Sequence, residues 1–207
     1  MSGLFFALEG IDGSGKSTQL QLLAGRLEAA GIPCLTTREP TDGPIGQLLR
    51  QVLTRQLSCD SRVVAPLFAA DRLDHILNAG TGVLQALERG ITVLSDRYYF
   101  SSYAYQGVDL PLEQVVEINR PCADLLRPAA TLFLDVDPDL ALERIARNRA
   151  GTELFETKDR LARAREQFFR AFDREREREK VIIIPGGQSV EQVADALWAA
   201  VRPFYNE

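Results

Sequence analysis

Histidine is nearly missing from this chain of 207 residues; His75 stands alone. A single imidazole argues against a histidine-based metal centre and against a serine–histidine relay, which both need it grouped with other chemistry. Cysteine is scarce too. Cys34, Cys59 and Cys122 are odd in number and far apart, match no zinc or redox spacing, and read as reduced thiols. No apolar run approaches the roughly 18 residues of a membrane-crossing helix, so no membrane partner is expected. The first residues lead straight into an apolar segment, with neither a basic leader nor a cleavage signal, and the expected location is cytoplasmic. Positive charge is in the minority, 24 Lys and Arg against 29 Asp and Glu, for a net charge of −5. That balance argues against nucleic acid as a partner. Any anion site must then be built locally from selected arginines. Repeats, low-complexity tracts and long linkers are absent as well. What remains, 45% hydrophobic and 26% charged residues, is ordinary for a globular chain, and the length fits a single domain over 1–207.

Against these absences one stretch stands out. Residues 10–19 read GIDGSGKSTQ and follow the apolar run Leu4-Phe5-Phe6-Ala7-Leu8-Glu9. The pattern is G-x-x-x-x-G-K-[ST], with Gly10, Gly15, Lys16 and Ser17 in the required places. Glycines let successive N–H groups point into one concavity, at a helix N-terminus whose unpaired N–H groups favour an anion. Lys16 adds a mobile positive charge for outer phosphates, and Ser17 a hydroxyl for Mg²⁺. Gly10, Ile11, Asp12, Gly13, Ser14, Gly15, Lys16, Ser17 and Thr18 are therefore the candidate polyphosphate cradle. A chance glycine turn before a core helix is the alternative. The strand ahead and the helical stripe Gln19, Leu20, Leu22, Leu23 and Leu27 behind count against it. The loop alone does not separate kinases from GTPases, motors and passive nucleotide sensors.

Strands are expected at 4–8, 33–37, 91–95, 131–136 and 180–184, several of them continuous apolar runs, as in strands covered on both faces. Helices are expected at 16–30, 44–55, 62–78, 81–89, 112–120, 138–148, 157–178 and 189–203. The alternation predicts an α/β fold of the P-loop NTPase kind: three layers, α/β/α, around a five-stranded parallel sheet. Ligands bind such sheets outside the carboxyl ends of the strands.

The residues that follow the strands are accordingly the informative ones. Arg38-Glu39-Pro40-Thr41-Asp42-Gly43 reads equally as a polar turn or as site. Asp96 and Arg97 close the third strand; the acid suits a Mg²⁺ water shell and the arginine a phosphate, with a plain surface ion pair as the weaker reading. Phe68 and Arg72, four apart, share a helix face. They can clamp a planar base, although spacing alone favours a core phenylalanine beside a snorkelling arginine. Arg144, Arg147 and Arg149 precede a small-residue loop that can act as a lid or be a solvated face. The turn Pro185-Gly186-Gly187-Gln188 is either plain or close to a nucleobase.

Taken together, FALEGIDGSGKSTQ, TREP, LFAADR, SDRYYFSSYAYQG, LFLDVDP and RNRAGTELFE occur in an order that resembles the thymidylate kinase family, from residue 5 to about 156. The resemblance implies ATP- and Mg²⁺-dependent phosphorylation of dTMP to dTDP by a homodimer. It implies ATP held by residues 10–18 and dTMP held by Asp12, Phe68, Arg72, Arg97, Ser102, Tyr105 and Gln106. Phe68 would stack on thymine and Arg72 would donate to a thymine carbonyl. Arg97 would meet the acceptor phosphate, and Tyr105 would crowd the sugar 2′ position. Catalytic roles fall to Lys16, Arg97, Arg147 and Arg149. Ser17, Asp12 and Asp96 would serve the metal directly or through water. Glu153, Phe155 and Glu156 fall in a lid segment at about 147–157. Some members carry an arginine directly after the loop acid; here that position is Gly13, which implies the subtype whose lid supplies the charge. Two rivals remain. Another small-substrate nucleoside or nucleotide kinase would lack the Phe68/Arg72 pair and the DRY…AYQG stretch. A non-catalytic nucleotide switch would want a guanine-reading Asn-Lys-x-Asp, and the chain has none.

Overall fold

The structure, a computed structural model, describes residues 3–148 and 157–205. Five strands, β1 (Phe5–Glu9), β2 (Cys34–Arg38), β3 (Thr92–Asp96), β4 (Ala130–Asp135) and β5 (Val181–Pro185), form one sheet in the order β2-β3-β1-β4-β5. Every pairing is parallel. Each strand lies within one residue of its expected position. The helices are α1 (Lys16–Ala29), α2 (Pro44–Leu53), α3 (Ser61–Leu77), α4 (Val83–Glu88), α5 (Tyr99–Tyr105), α6 (Leu112–Leu125), α7 (Pro138–Asn148), α8 (Lys158–Glu175) and α9 (Val190–Val201).

Side-chain alternation along the strands divides the core. Phe5, Ala7, Val93 and Phe133 face one cluster, shared with residues of α3 to α8. Phe6, Leu8, Leu94, Leu132, Leu134 and Ile184 face the other, shared with α1 and α9. With both faces covered, β1 is buried at every position, which is why it reads as an apolar run rather than an alternating one. The three-layer α/β/α expectation therefore holds.

Two helices depart from expectation for physical reasons. No helix is expected between Arg97 and Leu110, yet α5 forms there, and all seven of its residues are buried. A helix without an exposed face has no polar stripe to reveal its period. Helix α6 does not stop before Pro121 but continues to Leu125. Pro121 and Glu117, one turn back, both face outward, so the carbonyl that loses its N–H donor is on the solvent side.

Parallel register brings the carboxyl ends of the strands together. Asp96 lies opposite Leu8 on one side and Arg38 on the other, and Leu134 opposite Ile184. At that edge opens a cavity of about 590 Å³, walled by residues that follow β1, β2, β3 and β5 and by α3, α5 and α7.

Candidate active site

At one end of the cavity, residues 12–18 of the glycine loop wrap onto the start of α1. Gly15 is the N-cap at φ 92°, a left-handed conformation that suits glycine, and no side chain caps the helix. The first amides of α1 are thus left to an anion. Gly13 also has positive φ, 77°, and a Cβ there would stand 2.3 Å from the Ala141 carbonyl oxygen. Helix α7 presses directly on this position, which leaves no room for a loop arginine.

Lys16 folds back over the loop, donating from Nζ to the carbonyls of Gly10 (3.1 Å) and Ile11 (3.0 Å). It is buried, and that burial, with Arg97 nearby, lowers its pKa to about 8. Ser17 donates from Oγ to Asp96 Oδ2 at 2.9 Å, while the buried Asp96 Oδ1 has no hydrogen-bond partner among the described residues. A hydroxyl and a carboxylate oxygen side by side suit a hard cation such as Mg²⁺, which takes few protein ligands and keeps water and phosphate for the rest.

Arg97 sits at φ 75°, a strained conformation for a non-glycine residue and one that recurs at functional sites. Its guanidinium turns back over the glycine loop, donating to the Gly10 carbonyl (3.3 Å) and Ser101 Oγ (2.9 Å) and pairing with Asp12. It also lies 5.1 Å from the centre of the Tyr105 ring. Burial is the largest single influence and works against its charge, but Asp12, Tyr105, Asp96 and Glu9 together outweigh it and raise its pKa. The Tyr105 hydroxyl donates to Asp12 Oδ2 and accepts from the Asp12 N–H, both at 2.9 Å. Asp12, Arg97 and Tyr105 therefore form one unit at the middle of the cavity.

At the far end stand Phe68, Arg72, Ser102 and Gln106. Arg72 does not snorkel; it is 1% exposed. Its Nε donates to Glu39 (2.8 Å), and one terminal nitrogen donates to Ser102 Oγ (3.2 Å) and to Asn119. Phe68 and Arg72 thus both line the cavity, and the snorkelling arginine that spacing alone favours is not what forms. The buried Gln106 Oε1 has no described partner. Glu39 and Pro40 line the cavity, as do Gly186 and Gln188, so both turns border it.

Arg147 stands apart. It is on the exposed side of α7, with a terminal nitrogen 3.5 Å from Glu143, and does not line the cavity. Arg149, Glu153, Phe155 and Glu156, with most of the lid segment, lie outside the described residues. Of the three arginines named at the end of α7, Arg144 is the one that lines the cavity among the described residues; it donates to the carbonyls of Ser14 (3.4 Å) and Gly186 (3.1 Å), bridging the glycine loop and the β5–α9 turn. Sequence reasoning missed Asn119 and Glu9.

Glu9 ends β1 fully buried and accepts from the N–H groups of Tyr98 (2.9 Å) and Ser101 (3.0 Å) and from the Ser101 hydroxyl (2.5 Å). It thereby fastens the start of α5 to the strand that carries the glycine loop. Burial pushes its pKa up from 4.5 to about 7, against those donors. The native state then holds a proton that the unfolded chain releases between pH 4.5 and 7, so this stabilisation is present in acid and lost as pH rises through 7. Glu9→Gln can imitate the protonated carboxyl. It is expected to flatten the fall in stability across that window, by an amount on the order of 3 kcal/mol. Denaturant unfolding of both proteins at several pH values measures this, and parallel curves would remove Glu9 as the source.

Comparison with known proteins agrees with this geometry. The family model described as thymidylate kinase matches residues 8–197. A thymidylate kinase of Xanthomonas oryzae pv. oryzae (strain PXO99A) is 40% identical over 196 residues, covering 94% of this chain and 78% of the relative. One of Bifidobacterium longum (strain DJO10A) is 37% identical over 214 residues, covering 100% and 99%. One of Symbiobacterium thermophilum is 38% identical over 200 residues, covering 92% and 88%. With the glycine loop, the Asp12–Arg97–Tyr105 unit and the Phe68/Arg72 wall meeting in one cavity, and these relatives matching 92–100% of its length, the chain belongs to the thymidylate kinase family.

Proposed function

We propose that this chain transfers the γ-phosphoryl group of ATP to dTMP, giving dTDP and ADP. The observation that carries the reading is the continuity of the cavity: a phosphate loop at one end, a ring and a buried guanidinium at the other, and Arg97 with Asp12 between them. Two anions must meet in line for phosphoryl transfer, and positioning with electrostatics suffices, because the acceptor oxygen is already ionised. The loop amides and Lys16 hold the donor phosphates. Arg144, Gln188, Val190 and Val193 border the cavity beside the loop, where the donor base would lie. Arg97 exchanges its Asp12 partner for the acceptor phosphate. Ser17 and Asp96, with Asp12 nearby, would hold Mg²⁺, which when bound neutralises charge on the donor phosphates.

The acceptor base follows from donor chemistry. Thymine offers a carbonyl oxygen at C4 where cytosine offers an amine, so an N–H of Arg72 accommodates the first and opposes the second. Phe68 supplies the stacking face, and Tyr105 narrows the sugar pocket toward deoxyribose. Arg147 and Arg149 belong to the same reading as lid cations that close over the moving phosphoryl group. One domain over 1–207, a lid near 147–157, pairing into a homodimer and a cytoplasmic site of action complete it by family resemblance. No described helix is long and apolar enough to cross a membrane.

Purified protein with ATP and Mg²⁺, followed by ADP release against dTMP, dUMP, CMP, AMP, GMP and thymidine, tests the reading. Selective turnover of dTMP is the expected result. Preference for another acceptor would discard the Arg72 assignment while keeping a kinase. Absence of ADP release from folded, ATP-binding protein would discard the enzyme.

A further inference from the structure

The lone histidine of the chain stands behind the base-reading arginine. On α3, His75 lies three residues after Arg72, and its Nδ1 is 3.0 Å from Glu39 Oε1. The other Glu39 oxygen, Oε2, takes Arg72, with Nε at 2.8 Å and a terminal nitrogen at 2.7 Å. Thr37 of β2 closes the chain, its Oγ1 2.7 Å from His75 Nε2. All three of His75, Glu39 and Arg72 are buried. A carboxylate can only accept, so His75 Nδ1 carries the proton that faces Glu39, and neutral His75 accepts at Nε2 from the Thr37 hydroxyl. Of the other carboxylates on this helix, Asp71 is turned onto Thr41, whose N–H and hydroxyl donate to it at 2.8 and 2.6 Å, and Asp74 accepts from the Asn78 amide at 3.3 Å. The guanidinium lies over the Tyr98 ring, 5.4 Å from its centre, with the Cys122 thiol also close enough to act on it.

The terminal torsion of a glutamate is soft, so an arginine contact on one oxygen does not set the carboxylate plane. The second oxygen must be held as well, and His75 holds it. Orientation matters because Arg72 has few donors to spare: Glu39, Ser102 and Asn119 already accept from it. Asn119 cannot turn freely either, since its amide donates to the Val115 carbonyl at 2.9 Å. Discrimination at C4 of the base depends on the direction of the remaining N–H. We propose that His75 is a positioning residue for base selection: through Nδ1 it locks Glu39, and Glu39 locks the Arg72 fork against the acceptor base. The proposal rests on the reading of Arg72 as the residue that meets that base.

Asparagine and glutamine separate the two nitrogens of an imidazole. His75→Asn places an amide N–H near Nδ1 and keeps the Glu39 contact; His75→Gln places it near Nε2 and keeps the Thr37 side only; His75→Leu keeps neither. With the full chain, the Asn variant is expected to hold KM for dTMP within about 2-fold of the parent. The Gln and Leu variants are expected to raise it about 10-fold, the loss of one buried charge-assisted hydrogen bond, and to shrink the dTMP-over-dCMP ratio of kcat/KM by a similar factor. KM for ATP is expected to stay within about 2-fold in all three. Equal behaviour of the Asn and Leu variants, an unaltered KM for dTMP in both Gln and Leu variants, or a matching rise in KM for ATP would overturn the proposal. Arg72→Lys, measured alongside, separates the two layers. If it leaves KM and the base ratio unchanged, the reading of Arg72 fails and the proposal with it. If it acts while His75→Leu is silent, this proposal alone fails.

Discussion

Lys16→Met is expected to lower kcat by about 10²–10³ while the protein stays folded. The methionine keeps most of the apolar stem and removes only the charge, which stabilises phosphate oxygens as they develop negative charge in transfer. Folding has little need of that charge. Burial holds the Lys16 pKa down at about 8 against an ordinary 10.5, so the protonated form is disfavoured in the native state. The unfolded chain therefore binds more protons between pH 8 and 10.5, and the Lys16 contribution to stability rises with pH across that window. Lys16→Met should lose this rise. The difference between the two proteins isolates it, because Cys34 and Cys122, both pushed up to about 11 by burial, titrate alike in each. ADP release at saturating ATP and dTMP gives kcat, and denaturant unfolding at pH 7 and pH 10 gives the stability. A kcat within about 3-fold of the parent would remove Lys16 from the transfer step.

Arg97→Ala is expected to cost about 10³ in kcat/KM for dTMP, from weaker binding and from poorer alignment of the acceptor phosphate. Arg97→Lys should recover little of it, since an ammonium cannot reproduce the two parallel donors of a guanidinium. ATP affinity should change far less, because the loop amides and Lys16 remain. Backbone strain provides a separate readout. At φ 75° alanine retains the strain and glycine relieves it, so Arg97→Gly should unfold at a higher denaturant concentration than Arg97→Ala while sharing its kinetic loss. Equal losses in ATP and dTMP binding would mean that Arg97 supports the glycine loop through Gly10 and Asp12 rather than meeting the acceptor. Unchanged kcat/KM for dTMP would end its assignment altogether.

Local pattern was enough for the phosphate loop, for the five strands to within a residue and for the order of layers. Those features depend on neighbours in the chain: glycines at fixed intervals, a continuous apolar run covered on both faces, a helical stripe that follows. The family resemblance was legible for the same reason, as short ordered motifs. The character of the charged and polar residues was settled only by the fold. Glu9 reads as an acid stranded in an apolar run, and its partners Tyr98 and Ser101 lie 89 and 92 residues away. Only the β3–β1 pairing brings them together. Arg72 reads as a snorkelling arginine until Glu39, 33 residues back, and Asn119, 47 residues on, close around it from a loop and from α6. His75 reads as an isolated imidazole until β2 and the residue after it supply both of its partners. Helix α5 carries no stripe because no face of it meets water. Periodicity registers the boundary between core and solvent, and a buried polar network has none; its members are chosen by partners that the chain brings near only when the sheet has formed.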